Sequence, residues 1–525
     1  MVLCSCTRAE INSGCGRDTQ VKNAGCFEME NLITQLREGR LRPGAGLTFG
    51  THRQSPVDRV ALDVEQLAEG CHVGTKPDGT PYRFLIKTYG CQMNEHDTEV
   101  MAGLLLAMGY QPAAQDDEAD FILFNTCAVR ENAEDKVFGE IGRLRPLKAV
   151  NPELVLGLCG CMAQEKGVQQ LVQSKFPWVD VVFGTHNIHR LPKLLTEARN
   201  SRTTVMEVWD QAAQTVEDLP KLRKDKVRAW VNIQYGCNKF CTYCIVPYTR
   251  GSERSRLPED ILAEVRQLAA EGFKEITLLG QNVNDYGVDL GHVTFAQLLR
   301  EVNRVPGVER IRFTTSNPWN FTDDLIAAIA ECEHVAEHIH LPVQSGNNQV
   351  LKRMNRTHTR EFYLELVAKI RAAIPNVVLT TDIIVGFPGE TEAQFQDTLS
   401  LVEQVQFDNA FTFIYSPREN TPAAGFADDT PLAEKKNRLY RLNALQYDIS
   451  RKHNEALRGQ VLEVLVEGPS KTNAAVLAGR TRSNKLVLFE GDPSLIGQLV
   501  QVQIVEPQTW TLKGTYLPER TEVLA

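Results

Sequence analysis

From residue 83 onward, short apolar runs alternate with longer stretches whose apolar positions recur at helical spacing. Residues 83–88, 120–125, 154–158 and 179–183 predict strands. Residues 95–108, 131–147 and a stretch from about 163 predict helices after the first three. Strand and helix in alternation predict a parallel sheet covered by helices. The pattern resumes on a larger scale from residue 229. Strands are expected at 230–234, 275–279, 310–315, 338–343, 377–385 and 410–415. Helices are expected between them, at 258–271, 295–305, 323–332, 360–373 and 392–405. Pro258, Glu259 and Asp260 suit a helix entry and Gly272 an exit. Six such units are too few for a closed eight-fold barrel, so a partial (β/α)6 barrel, open on one side, is expected. Beyond residue 453 the period shortens. Residues 461–467 alternate, 485–489 and 499–505 read as further strands, and Gly459, Gly468, Gly479, Gly491, Gly497 and Gly514 punctuate them. This predicts a small β-barrel.

The expected fold is therefore α/β: an open parallel-sheet domain over 82–200, a partial barrel over 223–453 and a small β-barrel over 456–519. A polar linker, roughly 210–225, separates the first two. Residues 1–81 scatter Gly, Pro and charge without period, and are expected to be an irregular, dispensable extension, with Met29 a candidate start.

Composition narrows the function. A chain of 525 residues is too long for one ordinary domain, and 42% hydrophobic residues are enough for buried cores. A formal net charge of −9 gives no bulk attraction to nucleic acid, so any RNA contact needs a local patch. No stretch approaches the roughly 18–20 apolar residues of a membrane span, and residues 1–30 lack the apolar core of a signal peptide. A cytoplasmic protein without a membrane partner is expected. In that compartment thiols stay reduced, so clusters among the 13 cysteines read as metal ligands rather than disulfides.

Cys91, Cys127 and Cys161 each follow a predicted strand. Ligand crevices of open parallel sheets lie beyond the carboxyl ends of the strands, which would bring the three together as a ligand set. The other reading is three small apolar core residues. Cys4, Cys6, Cys15 and Cys26 show no metal spacing. Cys237, Cys241 and Cys244 form a C-x-x-x-C-x-x-C loop directly after the first strand of the second unit. Three thiolates on a four-iron cubane leave one iron open to a substrate. Structural zinc takes four ligands, and no second C-x-x-C or H-x-x-x-H lies nearby. Tyr243, before the last cysteine, is placed to pack against a bound cofactor.

The stretch Gly236-Cys237-Asn238-Lys239-Phe240-Cys241-Thr242-Tyr243-Cys244-Ile245-Val246-Pro247-Tyr248-Thr249-Arg250-Gly251 resembles the methylthiotransferase family of radical S-adenosylmethionine (SAM) enzymes. So do the segments around the other cysteines, 88–94 (TYGCQMN), 125–130 (NTCAVR) and 160–164 (GCMAQ). The likeness spans roughly 82–520 in the family's order: N-terminal methylthiotransferase domain, radical SAM core, TRAM barrel. Gln92-Met93-Asn94 and Thr249-Arg250-Gly251-Ser252-Glu253 resemble the bacterial tRNA branch.

The resemblance implies two 4Fe–4S clusters. Cys237, Cys241 and Cys244 would be catalytic and hold the one that cleaves SAM; Cys91, Cys127 and Cys161 would hold an auxiliary one that carries sulfur. It implies a tRNA substrate bearing isopentenyladenosine beside the anticodon, a 2-methylthio product, an electron donor and a sulfur source. Segments 278–284 (LLGQNVN), 340–346 (HLPVQSG) and 381–390 (TDIIVGFPGE) also match the family and fall at strand ends. Gln281, Gln344 and Asp382 there are either cofactor contacts or strand-end hydrogen bonders. Asn317 and Trp319 depart from the family pattern. Arg480, Arg482, Lys485 and Lys513 in the barrel, and the run Lys221, Arg223, Lys224, Lys226 and Arg228, offer RNA phosphate contacts or ordinary solvated positions. Two other functions stay open: a methylthiotransferase acting on threonylcarbamoyladenosine or a ribosomal protein, and a non-catalytic iron–sulfur RNA-binding protein.

Overall fold

The computed structural model describes residues 47–48, 74–128, 131–201, 203–211 and 218–518. Cys4, Cys6, Cys15, Cys26 and Met29 lie outside the described residues. Leu47–Thr48 pairs antiparallel with Lys221–Leu222, so a piece of the stretch expected to be irregular is tied to the segment before the barrel.

The first unit is a six-stranded parallel sheet. Its elements are β1 (Arg83–Tyr89), α1 (Gln92–Ala107), β2 (Gln111–Pro112), β3 (Phe121–Thr126), α2 (Glu131–Arg143), α3 (Arg145–Val150), β4 (Val155–Gly160), α4 (Lys166–Lys175), β5 (Val181–Phe183), α5 (Leu191–Asn200) and β6 (Val205–Glu207). The strand order is β2-β1-β3-β4-β5-β6. Every residue of β3 and β4 is buried, and alternate side chains feed two apolar clusters. Phe121, Leu123 and Val155 pack with α1 and α5; Ile122, Phe124 and Leu156 pack on the other face. The helix expected over 131–147 is two, because Pro146 sits in the first turn of the second and cannot continue the first. β2 and β6 were not expected; two and three residues are too short to leave a period.

The second unit places six parallel strands in sequence order. They are β7 (Arg228–Asn232), β8 (Glu275–Leu279), β9 (Arg310–Phe313), β10 (His338–His340), β11 (Val378–Val385) and β12 (Asn409–Ile414). Ladders β7-β8-β9 and β10-β11-β12 are joined by a parallel bridge from Ile311 to Val335, which makes the partial barrel. Helices α6 (Pro258–Ala270), α7 (Phe295–Asn303), α8 (Asp323–Glu331), α9 (Arg360–Ala373) and α10 (Glu392–Val405) cover it. A further helix, α11 (Leu432–Glu455), packs on β12 and α10. Val231, Ile276, Ile311, Ile339 and Leu379 face the helices in one core. Their sequence neighbours point inward, so the barrel interior is lined by Asn232, Glu275, Arg310, Arg312 and Thr380, a polar set.

The last unit is a closed barrel of β13 (Val461–Pro469), β14 (Val476–Thr481), β15 (Leu486–Glu490), β16 (Leu499–Pro507) and β17 (Leu512–Leu517). Val464, Val466, Leu477, Phe489, Val502 and Ile504 fill it. It docks under the amino ends of the core strands. Arg310, fully buried, donates to the Arg480 carbonyl and to Glu463, both at 2.8 Å. Arg312 donates to the carbonyls of Thr481 (2.7 Å) and Arg482 (2.8 Å) and to Glu275 (2.8 Å). Arg228 pairs with Glu467, Arg482 with Glu337 and Lys485 with Asp408. Arg480, Arg482 and Lys485 therefore seal a domain junction rather than face RNA. Lys221 and Arg223 likewise pair with Glu264, and Arg223 also with Glu99 of α1. No helix among the described residues is long and apolar enough to cross a membrane.

Candidate functional site

Cys91, Cys127 and Cys161 stand one or two residues beyond β1, β3 and β4, on one edge of the sheet. Cys91 is the N-cap of α1 and is exposed; the other two are buried. A buried amide pair ties the turns together. Asn94 Nδ2 donates to Asn125 Oδ1 (3.1 Å) and the Thr126 carbonyl (3.2 Å), and Asn125 Nδ2 donates to the Asn94 carbonyl (2.7 Å). Gly160 turns at φ 94°, and a Cβ there would lie 2.4 Å from the Thr126 carbonyl oxygen, so only glycine brings β4 in this close. A hydrogen bond from Cys127 draws the Cys91 thiol down to about 6, helped by the Arg250 guanidinium. Burial pushes Cys161 up, against the pull of Arg250. Arg250 Nε donates to Cys161 Sγ at 3.3 Å. Cys159, two residues before Cys161, packs in the apolar cluster with α1, its sulfur 3.6 Å from that of Met101.

Cys237, Cys241 and Cys244 lie on a loop whose ends are closed by antiparallel pairing of Gln234–Tyr235 with Arg254–Ser255. Gly236 opens the loop at φ 75°, and the Cys237 amide donates to the Gly251 carbonyl at 3.0 Å. The Lys239 amide donates to Cys237 Sγ at 3.4 Å. Arg356 reaches Cys241 Sγ at 3.7 Å while donating to Asn317 Oδ1 (3.2 Å) and the Pro342 carbonyl (2.7 Å). Trp319 lies against the Arg356 guanidinium, 4.7 Å from ring centre, and stacks on His358. The two positions that depart from the family pattern thus hold the arginine that touches the loop. Burial pushes Cys237 and Cys244 up to about 12. Thiols in such a place favour the neutral form until a metal takes their charge.

The carboxyl ends of the core strands carry buried polar atoms without partners among the described residues. They include both side-chain polar atoms of Asn232 and Gln234, Gln281 Nε2, Ser316 Oγ and Gln344 Oε1. Such atoms are costly unless a ligand or water meets them, so this mouth fits a polar small molecule. Gln281 Oε1 accepts from the Gly236 amide, which links it to the cysteine loop. Gln344 is in the left-handed region, φ 70°, clasped to β11 through the Asp382 carbonyl (2.9 Å) and the Ile384 amide (3.0 Å). Asp382 is partly exposed and lies 3.4 Å from His340 Nε2. Tyr243 packs against the cluster of Val350, Met354, Phe387 and Tyr415. Among the described residues, no three His, Cys, Asp or Glu side chains gather to hold a single metal ion. A cubane offers separate irons at its corners and takes thiolates that stand further apart.

The segment that follows Cys244 packs against the sheet edge that carries Cys161. Ile245, next to Cys244, shares an apolar contact with Ala128 and Cys161. Thr185 Oγ1 donates to the Thr249 carbonyl at 2.7 Å. The sequence marked the six cysteines but not Asn94, Asn125, Arg250 or Arg356 as their supports. Those four stood inside or near the motifs, yet their partners lie up to 153 positions away.

The middle of the chain, residues 231–402, matches the radical SAM superfamily model. Residues 83–184 match uncharacterized protein family UPF0004, and 455–517 the TRAM domain. The fold and the cysteine loop define a radical SAM enzyme, a class that uses a 4Fe–4S cluster and S-adenosylmethionine. Over 447 residues, 85% of this chain, it is 60% identical to the tRNA-2-methylthio-N(6)-dimethylallyladenosine synthase of Geobacillus kaustophilus, covering 84% of that protein. The same values of identity and chain coverage hold for the synthase of Geobacillus thermodenitrificans, of which 85% is covered. The chain belongs to the family of tRNA-2-methylthio-N(6)-dimethylallyladenosine synthases.

Proposed function

We propose that this enzyme is a tRNA methylthiotransferase that converts N6-isopentenyladenosine beside the anticodon to its 2-methylthio derivative. The observation that carries the reading is the packing of the segment after Cys244 against the sheet edge of the other triad, with Ile245 on Cys161 and Arg250 bonded to its sulfur. Making a radical and storing sulfur call for separate metal centres, and the chain offers two sets of three ligands. Cys237, Cys241 and Cys244 would hold a 4Fe–4S cluster, which would supply the electron for SAM cleavage, and Cys91, Cys127 and Cys161 would hold a second, which would carry the sulfur to be transferred.

The protein's part is positioning. The Gly236 turn and the Gln234–Tyr235 pairing with Arg254–Ser255 fix the loop, and Arg356 holds Cys241. Gln281, Gln344 and Asp382 orient SAM at the barrel mouth, and Tyr243 walls its cluster side. The unpartnered amide atoms of Gln281 and Gln344 support that role. The open side of the barrel admits the anticodon loop. The division into 82–200, 223–453 and 456–519 assigns sulfur storage, radical chemistry and RNA grip to one unit each. An electron donor and a sulfur source complete the partners, in the cytoplasm where these thiols stay reduced.

Nucleoside analysis of tRNA from a deletion strain tests the proposal. Loss of the 2-methylthio group from isopentenyladenosine, restored by the wild-type chain, supports it; an unchanged level refutes it.

A further inference from the structure

Arg250 and Asp97 form a buried pair between the two cysteine sets. Arg250 ends the turn that follows Cys244, and Asp97 lies on α1 behind Cys91. Their side chains are 5% and 6% exposed. One guanidinium nitrogen bonds Asp97 Oδ2 at 2.6 Å, and Nε points at Cys161 Sγ at 3.3 Å. Burying a charged pair is costly, and this one sits where a cluster ligand needs an N–H donor. A cluster ligated by thiolates is anionic and gains a further negative charge on reduction. Hydrogen bonds and positive charge at its sulfurs make that gain easier.

Resting on the auxiliary-cluster reading, we infer that Arg250, held by Asp97, is a positioning residue that sets the reduction potential of the cluster at Cys91, Cys127 and Cys161. It does so through the Cys161 sulfur. Because Arg250 belongs to the radical loop's own chain segment, the domain that makes the radical also tunes the centre that stores sulfur.

The test uses the full chain carrying Cys237/Cys241/Cys244→Ala, reconstituted anaerobically, so that one cluster reports. Arg250→Lys, Arg250→Gln and the charge-neutral Asp97→Asn/Arg250→Gln are compared with that parent by iron content and EPR-monitored redox titration. Expected is about four irons in each. The reduction equilibrium should fall about tenfold, about 59 mV for one electron, in both glutamine variants, with partial rescue by lysine. A parental potential in both glutamine variants overturns the inference. Loss of iron in all three variants also overturns it, since Arg250 then only supports the fold. A parent that holds no iron removes the auxiliary cluster itself, a failure visible before Arg250 is touched.

Discussion

At Gly236 the backbone turns with φ 75°, and a Cβ would lie 2.1 Å from the Ser252 carbonyl oxygen. Gly236→Ala must open the paired base of the cysteine loop and should cost about 1–3 kcal/mol. The expected outcome is a lower melting temperature with iron lost from the radical site first. Equal iron and melting temperature would show that the loop tolerates the change. The cysteines themselves separate by role. Cys237→Ala should abolish 5′-deoxyadenosine formation, whereas Cys91→Ala should leave cleavage measurable and stop methylthio transfer. Fully modified tRNA from Cys91→Ala would rule out the auxiliary assignment. At this scale the sequence was readable wherever chemistry sets the spacing, as in the C-x-x-x-C-x-x-C loop. It was silent on Asp97 and Arg250, 153 positions apart, because an ion pair formed by folding leaves no local period.

Helix α11 shows why one element escaped the periodicity. Its buried side includes Lys435, Arg438, Gln446, Ser450 and Asn454, with only Leu442 and Ile449 apolar. A stripe of polar residues reads as a solvated face until its partners are known. Here Gln446 donates to the Phe407 carbonyl at 2.8 Å, and Arg438 donates to the Glu390 carbonyl and carboxylate at 2.8 and 3.1 Å. Glu390 in turn accepts from the Gly386 amide at 2.7 Å and fixes the turn after β11. Arg438→Ala leaves the Glu390 carboxylate buried without its cation, and should cost about 3–5 kcal/mol in urea unfolding. Adding Glu390→Gln should recover part of that loss. If the double variant is no more stable than the single, the pair is not what holds the turn. By contrast β3 and β4 were visible because apolar runs buried on both faces have few alternatives.

The whole molecule is held by charge at its junctions, which sequence shows as sign but not as pairing. Glu99 on α1 meets Arg223 at 3.2 Å, where the first unit leans on the core. Burial raises Glu99 to about 7 from 4.5, with Arg223 opposing. The folded protein then keeps a proton that the unfolded chain has released between those values. This contribution is full below 4.5 and is lost as the pH rises through 7. Thermal stability should therefore fall across that window, and Glu99→Gln should flatten the fall. Identical slopes would remove Glu99 from the account. The order of the three units was legible from the change in period. The docking of the last barrel was not, because Arg480, Arg482 and Lys485 carry the same charge whether they meet phosphate or Glu467, Glu337 and Asp408.

That docking also dictates an order of events during synthesis. Domains form as the chain emerges, amino end first. Arg310 and Arg312 are in place long before Glu463, Arg480, Thr481 and Arg482, the groups that complete their hydrogen bonds. A nascent core is thus a cup whose base carries two guanidinium groups that share the single carboxylate of Glu275, and it stays open to water until the last barrel docks. Chains cut short before the last barrel would keep every cysteine yet leave that base open, so completion of the barrel is what closes the core.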